Sequence, residues 1–341
     1  MARTTLAIES IVKRNQLILA RITILSSIVS SSVFLDCVSA DELLPTGQIQ
    51  KLTNRDTSNA PLASYQFGYL FGVNRTNNGL WIDHITEGNV LEDQLSIPET
   101  FRVLIRAAAV SPDNRFAVCG TSTDRLGKLS SFIWFLRMDG TLVRTIRTSS
   151  FHVRKIRFSA DGNLWSVGIE SDSGLEKVNH DVLRQYDRDG RLVRTMLPRM
   201  SISSSREHPT EGAILVTSSQ YVALISLVSE RWNLISTEGI LVSSGPVDLP
   251  RGLNVFSGSV SDSGRIFIQG YWASDSPHRD SYPRLPVFEI DQELGLMKFR
   301  RTNSVYLDDS YGLLLGSEGE ELLFLTRSST GERKIVWSKP D

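Results

Sequence analysis

Two blocks of residues recur in this chain in the same order and at nearly the same spacing. That recurrence restricts the fold more than any bulk property does. The stretch Ala109-Val110-Ser111-Pro112-Asp113-Asn114-Arg115-Phe116-Ala117-Val118-Cys119-Gly120 matches Arg157-Phe158-Ser159-Ala160-Asp161-Gly162-Asn163-Leu164-Trp165-Ser166-Val167-Gly168 at an offset of 48. Each is an apolar run, a tight Ser-x-Asp turn and a second apolar run ending in Gly. Downstream, Asp139-Gly140-Thr141-Leu142-Val143-Arg144-Thr145 returns as Asp189-Gly190-Arg191-Leu192-Val193-Arg194-Thr195 at an offset of 50. Weaker copies of the first block are Thr217–Ala223, Val260–Ile268 and Leu307–Gly316. The second block returns at Glu87–Val90, Glu238–Val242 and Thr330-Gly331, with Asp291–Leu296 in the remaining slot.

Each unit reads as four short strands. In the clearest one these are Lys155–Ser159, Asn163–Gly168, Val182–Tyr186 and Arg191–Met196. Asp-Gly pairs between apolar runs mark hairpin turns, because Gly and Asn tolerate the positive φ that tight turns demand. No sustained helical period runs through the flanking residues. A four-stranded unit of about 50 residues buries both sheet faces only by stacking on neighbouring copies, which implies propeller blades. Six units span residues 41–341, so the expected fold class is all-β, a β-propeller of six four-stranded blades forming a single domain. A two-sheet sandwich is the alternative, and it leaves the regular offset unexplained. Inner strands crowd at a propeller axis, and Ala107-Ala108-Ala109 and Ser257-Gly258-Ser259 supply the small residues this requires. In the first blade Phe67–Val73 and Leu80–Thr86 read as strands. Gln48–Leu52 is expected either to be its inner strand or to close the ring on the last blade.

Phe158-Ser159-Ala160-Asp161-Gly162-Asn163-Leu164-Trp165 and Tyr186-Asp187-Arg188-Asp189-Gly190-Arg191-Leu192-Val193-Arg194-Thr195 resemble the two halves of a blade of the NHL-like six-bladed propellers. The resemblance is clear over about two blades. It departs at Gly120 and Gly168, where that family often carries Asp, and in the longer loop that follows. Some similar six-bladed propellers are metal-dependent lactonases that hold a divalent ion over the central channel. The resemblance therefore implies such a lactonase or hydrolase as the alternative function. Only Glu211 and Asn254 stand at the tops of inner strands to supply metal ligands.

Residues 1–40 read as a secretory leader. Arg3, Lys13, Arg14 and Arg21 precede an apolar, Ser-rich run from Ile22 to Leu35, and Val38-Ser39-Ala40 places small residues before Asp41. An uncleaved anchor is the alternative, but Arg21 and Asp36 cut the run short of the roughly 20 residues a span needs. Cys37 fits a lipoprotein site poorly, with Phe34-Leu35-Asp36 before it. Cleavage after Ala40 leaves a net charge of −3 and Cys119 as the single cysteine. The expected product is a secreted or periplasmic monomer without disulfides, stabilised by its core, with no stable membrane insertion and no affinity for nucleic acid.

No nucleophile elbow, P-loop or dinucleotide fingerprint occurs. Cys119 aligns with Val167 and reads as a buried strand residue. The turn aspartates Asp113, Asp161, Asp189 and Asp262 fall in different units and read as turn formers. His152, His180, His208 and His278 fall toward one end of the expected propeller without metal-ligand spacing, so no metal or cofactor is expected; His84 reads as a packed strand residue. Arg102, Arg106, Arg154 and Arg157 lie on or before inner strands and could place positive charge at the channel mouth. Three long connections, Thr121–Ser130, Ile169–Asp181 and Tyr271–Leu285, join second to third strands on one end. The last holds an aromatic-basic cluster, Tyr271, Trp272, His278, Arg279, Tyr282 and Arg284, with the composition of binding hot spots. The chain is thus expected to be a non-enzymatic propeller that binds a protein, peptide or glycan partner through its long-loop face.

Overall fold

Six four-stranded antiparallel blades account for nearly all the regular structure in a computed structural model of the chain. The structure describes residues 41–51, 63–74, 79–85, 88–94, 102–123, 125–172, 175–202, 210, 212–276, 285–302, 312–327 and 333–340. Strand β1 (Asp41–Lys51) comes first and belongs to the last blade. Blade one is β2 (Ser64–Gln66), β3 (Tyr69–Asn74), β4 (Gly79–His84) and β5 (Gly88–Gln94). Blade two is β6 (Arg102–Val110), β7 (Arg115–Thr123), β8 (Leu129–Arg137) and β9 (Leu142–Ser149). Blade three is β10 (Phe151–Phe158), β11 (Leu164–Asp172), a short β12 (Leu175–Glu176) paired with β11, then β13 (Asp181–Tyr186) and β14 (Leu192–Pro198). One helical turn, α1 (Arg199–Ile202), follows. Blade four is β15 (Ile214–Thr217), β16 (Tyr221–Ser226), β17 (Arg231–Ser236) and β18 (Leu241–Pro246). Blade five is β19 (Leu253–Val260), β20 (Ile266–Trp272), β21 (Val287–Ile290) and β22 (Met297–Thr302). Blade six is β23 (Leu313–Glu318), β24 (Glu321–Arg327), β25 (Arg333–Pro340) and β1.

The period-2 pattern of the middle strands explains why blades stack. On β7, Phe116 and Val118 face blade one, whereas Ala117 and Cys119 face blade three. On β8, Phe132, Trp134 and Leu136 face blade one, and Ile133 and Phe135 face blade three. The same alternation gives each of the six junctions between neighbouring blades its own apolar cluster. The last of these joins Tyr65, Leu70 and Trp81 of blade one to Leu323, Ile335 and Trp337 of blade six. The innermost strands touch in the same cyclic order, with blade two meeting blade one through β3. The ring is closed, and the fold is a six-bladed β-propeller.

Turn chemistry holds the repeat in register. Gly140, Gly190 and Gly239 occupy equivalent third-to-fourth-strand hairpins at φ of 82°, 74° and 80°. Their amides donate to the carbonyls of Arg137, Asp187 and Ser236. At the first-to-second-strand turns, Ser111 Oγ donates to Asp113 at 2.5 Å and Ser159 Oγ donates to Asp161 at 2.6 Å. Asp262 instead accepts the Ser219 amide of blade four at 2.8 Å. Asp113 and Asp161 thus form turns, as their spacing suggested, and Asp262 ties its turn to blade four.

Two expectations need correction, and both trace to ring closure. The stretch Leu307–Gly316 was read as a copy of the first block, with its turn before Leu313. In the structure Leu313–Glu318 is the innermost strand of blade six, and the turn follows at Gly319. Thr330-Gly331 was read as a third-to-fourth-strand hairpin. It lies outside the described residues, in the connection between β24 and β25, the second and third strands. The cause is that blade six receives its outer strand from the start of the domain. β1 pairs antiparallel with β25, and Asp41, Glu42 and Leu43 also run parallel to Arg300, Arg301 and Thr302 of β22. Of the two roles considered for Gln48–Leu52, the structure selects ring closure for the described part of that segment.

One ion cluster fastens blade five to the ring. Glu289 accepts from Arg265 Nε and Nη2 at 2.8 Å each and from Arg300 Nε at 2.9 Å, while Arg265 Nη1 reaches the Pro340 carbonyl of blade six. Burial pushes the Glu289 carboxyl up, but the hydrogen bonds and charges of both arginines outweigh it and hold the group below the usual carboxylate range. A depressed folded-state pKa stabilises above the unfolded value, and the contribution is lost as pH falls through the folded value. Glu289→Gln should therefore cost about 2 kcal/mol at pH 7. The gap to wild type should close as pH drops below about 4. Urea melts at several pH values check both.

Candidate functional site

The connectivity gives the propeller two unlike ends. First-to-second and third-to-fourth turns are short and hydrogen-bonded within themselves. The connections after β7, β11 and β20 emerge at the opposite end, beside the starts of the inner strands. They are partly built from strand: β7 and β11 run on to Thr123 and Asp172, and β12 folds back on β11.

The end of each long second strand explains a sequence feature that had no assignment. Inner strands β6, β10 and β19 each bulge by one residue, at Arg106, Arg154 and Phe256. In each case the residue before the bulge pairs with a Gly of the second strand: Ile105 with Gly120, Val153 with Gly168, Val255 with Gly270. A bulge bends its strand and presses a backbone carbonyl onto that Gly. A Cβ at Gly120 or Gly168 would lie 2.4 Å from the carbonyl oxygen of Leu104 or His152. This is why Gly stands where similar propellers often have Asp.

The inner strands surround a cavity of about 320 Å³ at the long-loop end of the axis. Small residues Ala107, Ala108, Ser257 and Gly258 leave it open, as expected, and Phe71, Phe256 and Leu315 supply apolar wall. The charged side chains lining it are Arg106, Lys155 and Arg157, and no carboxylate lines it among the described residues. Arg157 also borders a second cavity of about 250 Å³ toward the tight-turn end, where Asp262 and Glu318 contribute. Glu318 is engaged by the Tyr65 hydroxyl and Trp337 Nε1. The axis is thus cationic at one end and acidic at the other.

Arg157 sits between them. Its Nη2 donates to Ser64 Oγ at 3.0 Å, and its guanidinium stands 5.6 Å from the centre of the Phe71 ring. Burial pushes its pKa down to about 10. His152, half-buried nearby, is also held below its ordinary value, by burial and then by the charges of Arg154 and Arg106. Below the cationic cavity, Gln66 crosses the axis. Its amide nitrogen donates to the Phe158 carbonyl of blade three at 2.9 Å and to Thr217 Oγ1 of blade four at 3.2 Å, and its oxygen accepts the Val110 amide of blade two at 3.2 Å.

Of the aromatic-basic cluster, Tyr271 is 49% exposed at the end of β20 and lies 6.1 Å from Phe256, ring centre to ring centre. Trp272 is corrected to a core residue: it is 7% exposed and packs edge-on against Phe288 at 6.2 Å. Neighbouring residues of a strand point to opposite sides, so one of this pair had to turn inward. His278, Arg279, Tyr282 and Arg284 lie outside the described residues. Arg106 and Arg157 line the channel as anticipated. Arg102 is exposed and Arg154 is not part of the lining. Lys155 and Gln66 were missed, although Lys155 stands two residues before Arg157 on a strand already identified. Cys119 is fully buried, with its thiol pushed up to about 12 by desolvation. His84 packs against Tyr69 at 4.7 Å. Among the described residues no group of three His, Cys, Asp or Glu side chains converges, and no helix is long and apolar enough to cross a membrane.

No family profile and no curated protein matches the chain. Among solved structures it is similar to virginiamycin B lyase from Staphylococcus aureus, at 11% identity over 85% of this chain and 98% of that one, with a TM-score of 0.42. It is likewise similar to a candidate exported protein of Bacteroides fragilis, at 10% identity over 86% and 94%, TM-score 0.49. A gluconolactonase from Xanthomonas campestris gives 13% identity over 88% and 98%, TM-score 0.42. At these scores the likenesses carry neither an activity nor a ligand to this chain, and the propeller rests on its own strand order and blade junctions.

Proposed function

We propose that this chain is a non-enzymatic, exported propeller of NHL-like type that binds a protein, peptide or glycan partner on its long-loop end. The observation that carries the reading is Tyr271. It is a large aromatic left half-exposed on the end that bears every long connection, and it stands over Phe256 at the channel mouth. Rigid amphipathic aromatics bury area at low entropic cost. The lactonase alternative needs carboxylates or amides converging over the channel. The described lining offers three cations there, which repel a divalent ion; Asn254 is exposed at the rim, and Glu211 lies outside the described residues. The residues present do not fit that metal.

The test uses protein recovered from the extracytoplasmic fraction, whose first residue should be Asp41, probed on peptide and glycan arrays. Tyr271→Ala should weaken the hits by about 2 kcal/mol and leave the melting temperature unchanged. Glu238→Gln, on a hairpin of the opposite end, should leave them intact. Equal binding by wild type and Tyr271→Ala, or full-length chain held in the membrane, rejects the reading.

A further inference from the structure

We propose that the central channel is a binding site for a small amphipathic carboxylate, its charged head held by Arg157 with Lys155 and Arg106, and its apolar body against Phe71, Phe256 and Leu315. This site lies within the channel, and it meets the partner surface at Tyr271 through Phe256.

The argument begins with what Arg157 costs. A guanidinium half-withdrawn from water, as Arg157 is, costs stability to the extent that no opposite charge compensates it. Arg157 is deep enough for burial alone to lower its pKa to about 10. Among the described residues its contacts are a serine hydroxyl and an aromatic face, with no carboxylate in ion-pair range. That hydroxyl is, among the described residues, its one side-chain acceptor for a guanidinium's five donors. By contrast, the cluster around Glu289 shows how this chain neutralises half-buried arginines when their role is structural. Arg157 is a half-buried charge kept, among the described residues, without such a counterion.

The surroundings repeat the same sign. Lys155 and Arg106 line the cavity with Arg157, and after burial the charges of Arg154 and Arg106 also depress His152, farther along β10. An anion entering there meets a positive potential in a low-dielectric wall, where Coulomb attraction is strong. A planar guanidinium matches a carboxylate's two oxygens in a bidentate pair. The volume of about 320 Å³ lies at the small end of ligand cavities. Phe71, Phe256 and Leu315 offer an apolar body a wall beside the cations. Gln66, tied to three other blades across the axis, bars the tight-turn end. The ligand therefore enters head-first from the long-loop mouth.

The test is calorimetric titration and thermal melting of the whole protein with phenylacetate and hexanoate. The matched alcohols 2-phenylethanol and hexanol, together with phenyl phosphate, serve as comparisons. Both acids should raise the melting temperature and bind at least about tenfold more tightly than their alcohols, because the charged pair is absent from the alcohols. Arg157→Met, which keeps length and removes charge, should abolish that preference while leaving the ligand-free melting temperature equal to or above wild type. Lys155→Met should weaken binding with the fold intact. The proposal is overturned if acids and alcohols bind alike, if phenyl phosphate outcompetes both acids, or if Arg157→Met retains the acid preference. It is also overturned if Arg157→Met melts well below wild type, since the guanidinium is then a structural element and not a ligand group.

Discussion

Replacing Gly168 with alanine should destabilise the propeller by at least about 3 kcal/mol, an effect at the upper end of those for overpacking. The new Cβ would sit 2.4 Å from the His152 carbonyl oxygen, 2.9 Å from Phe151 Cζ and 3.0 Å from the His152 carbonyl carbon. Two of those three atoms are backbone, so no rotamer change relieves the clash. Phe151 is itself fully buried at the junction of blades two and three and has no room to retreat. Relief requires β10 and β11 to separate at the pair Val153–Gly168, which breaks the ladder at the mouth of the channel. A drop in melting temperature of about 10 °C is expected for a domain of this size. Gly316→Ala is the control. It lies on the inner strand β23, where its Cβ would meet Tyr65 at 3.6 Å and beyond, and the variant should melt within about 2 °C of wild type. Equal stability of the two variants would show that the bulge does not force Gly at this position.

Gly168 also marks where reading the sequence stopped. The repeat offset, the Asp-Gly turns and the alternating strands were legible because turn chemistry and side-chain period are local properties. They led to six blades, to equivalent glycines at 140, 190 and 239, and to the long-loop end. A bulge is not local in that sense. It is decided by how an inner strand bends at the axis, so the residues that bulge, Arg106, Arg154, Phe256 and, opposite a non-glycine strand, Leu315, carry no signature of their own. For the same reason four inner-strand arginines could be named, but not which of them line the cavity. Lys155 joins Arg106 and Arg157 there, and Arg154 does not. Trp272 was misplaced because composition marks a cluster as aromatic without saying which members point inward. Gln66 gave no signal, since one glutamine acquires its role only when three other blades arrive around it.

Removing residues 41–51 should prevent the ring from closing, the largest loss expected here. Every other blade completes its sheet from consecutive strands, but blade six owes its outer strand to this distant segment. Without β1, the outward edge of β25 loses its partners from Lys334 to Pro340, and β22 loses its parallel pairing at Arg300 to Thr302. The buried side chains Ile335, Val336 and Trp337 then lie on the edge strand itself. An unpaired strand with such neighbours is a template for intermolecular pairing. Blade six also supplies one face of two apolar junctions, with blade five and with blade one. Loosening it therefore opens the ring on both sides at once. The deleted protein should appear as aggregates or domain-swapped oligomers by size-exclusion chromatography. A synthetic peptide spanning Asp41–Lys51, added during refolding, should restore monomer, because ladder hydrogen bonds need no covalent link. A proline-substituted peptide that cannot donate to β25 should not. A deletion variant that stays monomeric with an unchanged melting temperature would show that the ring holds without this strand, and that blades one and six close it through side chains alone.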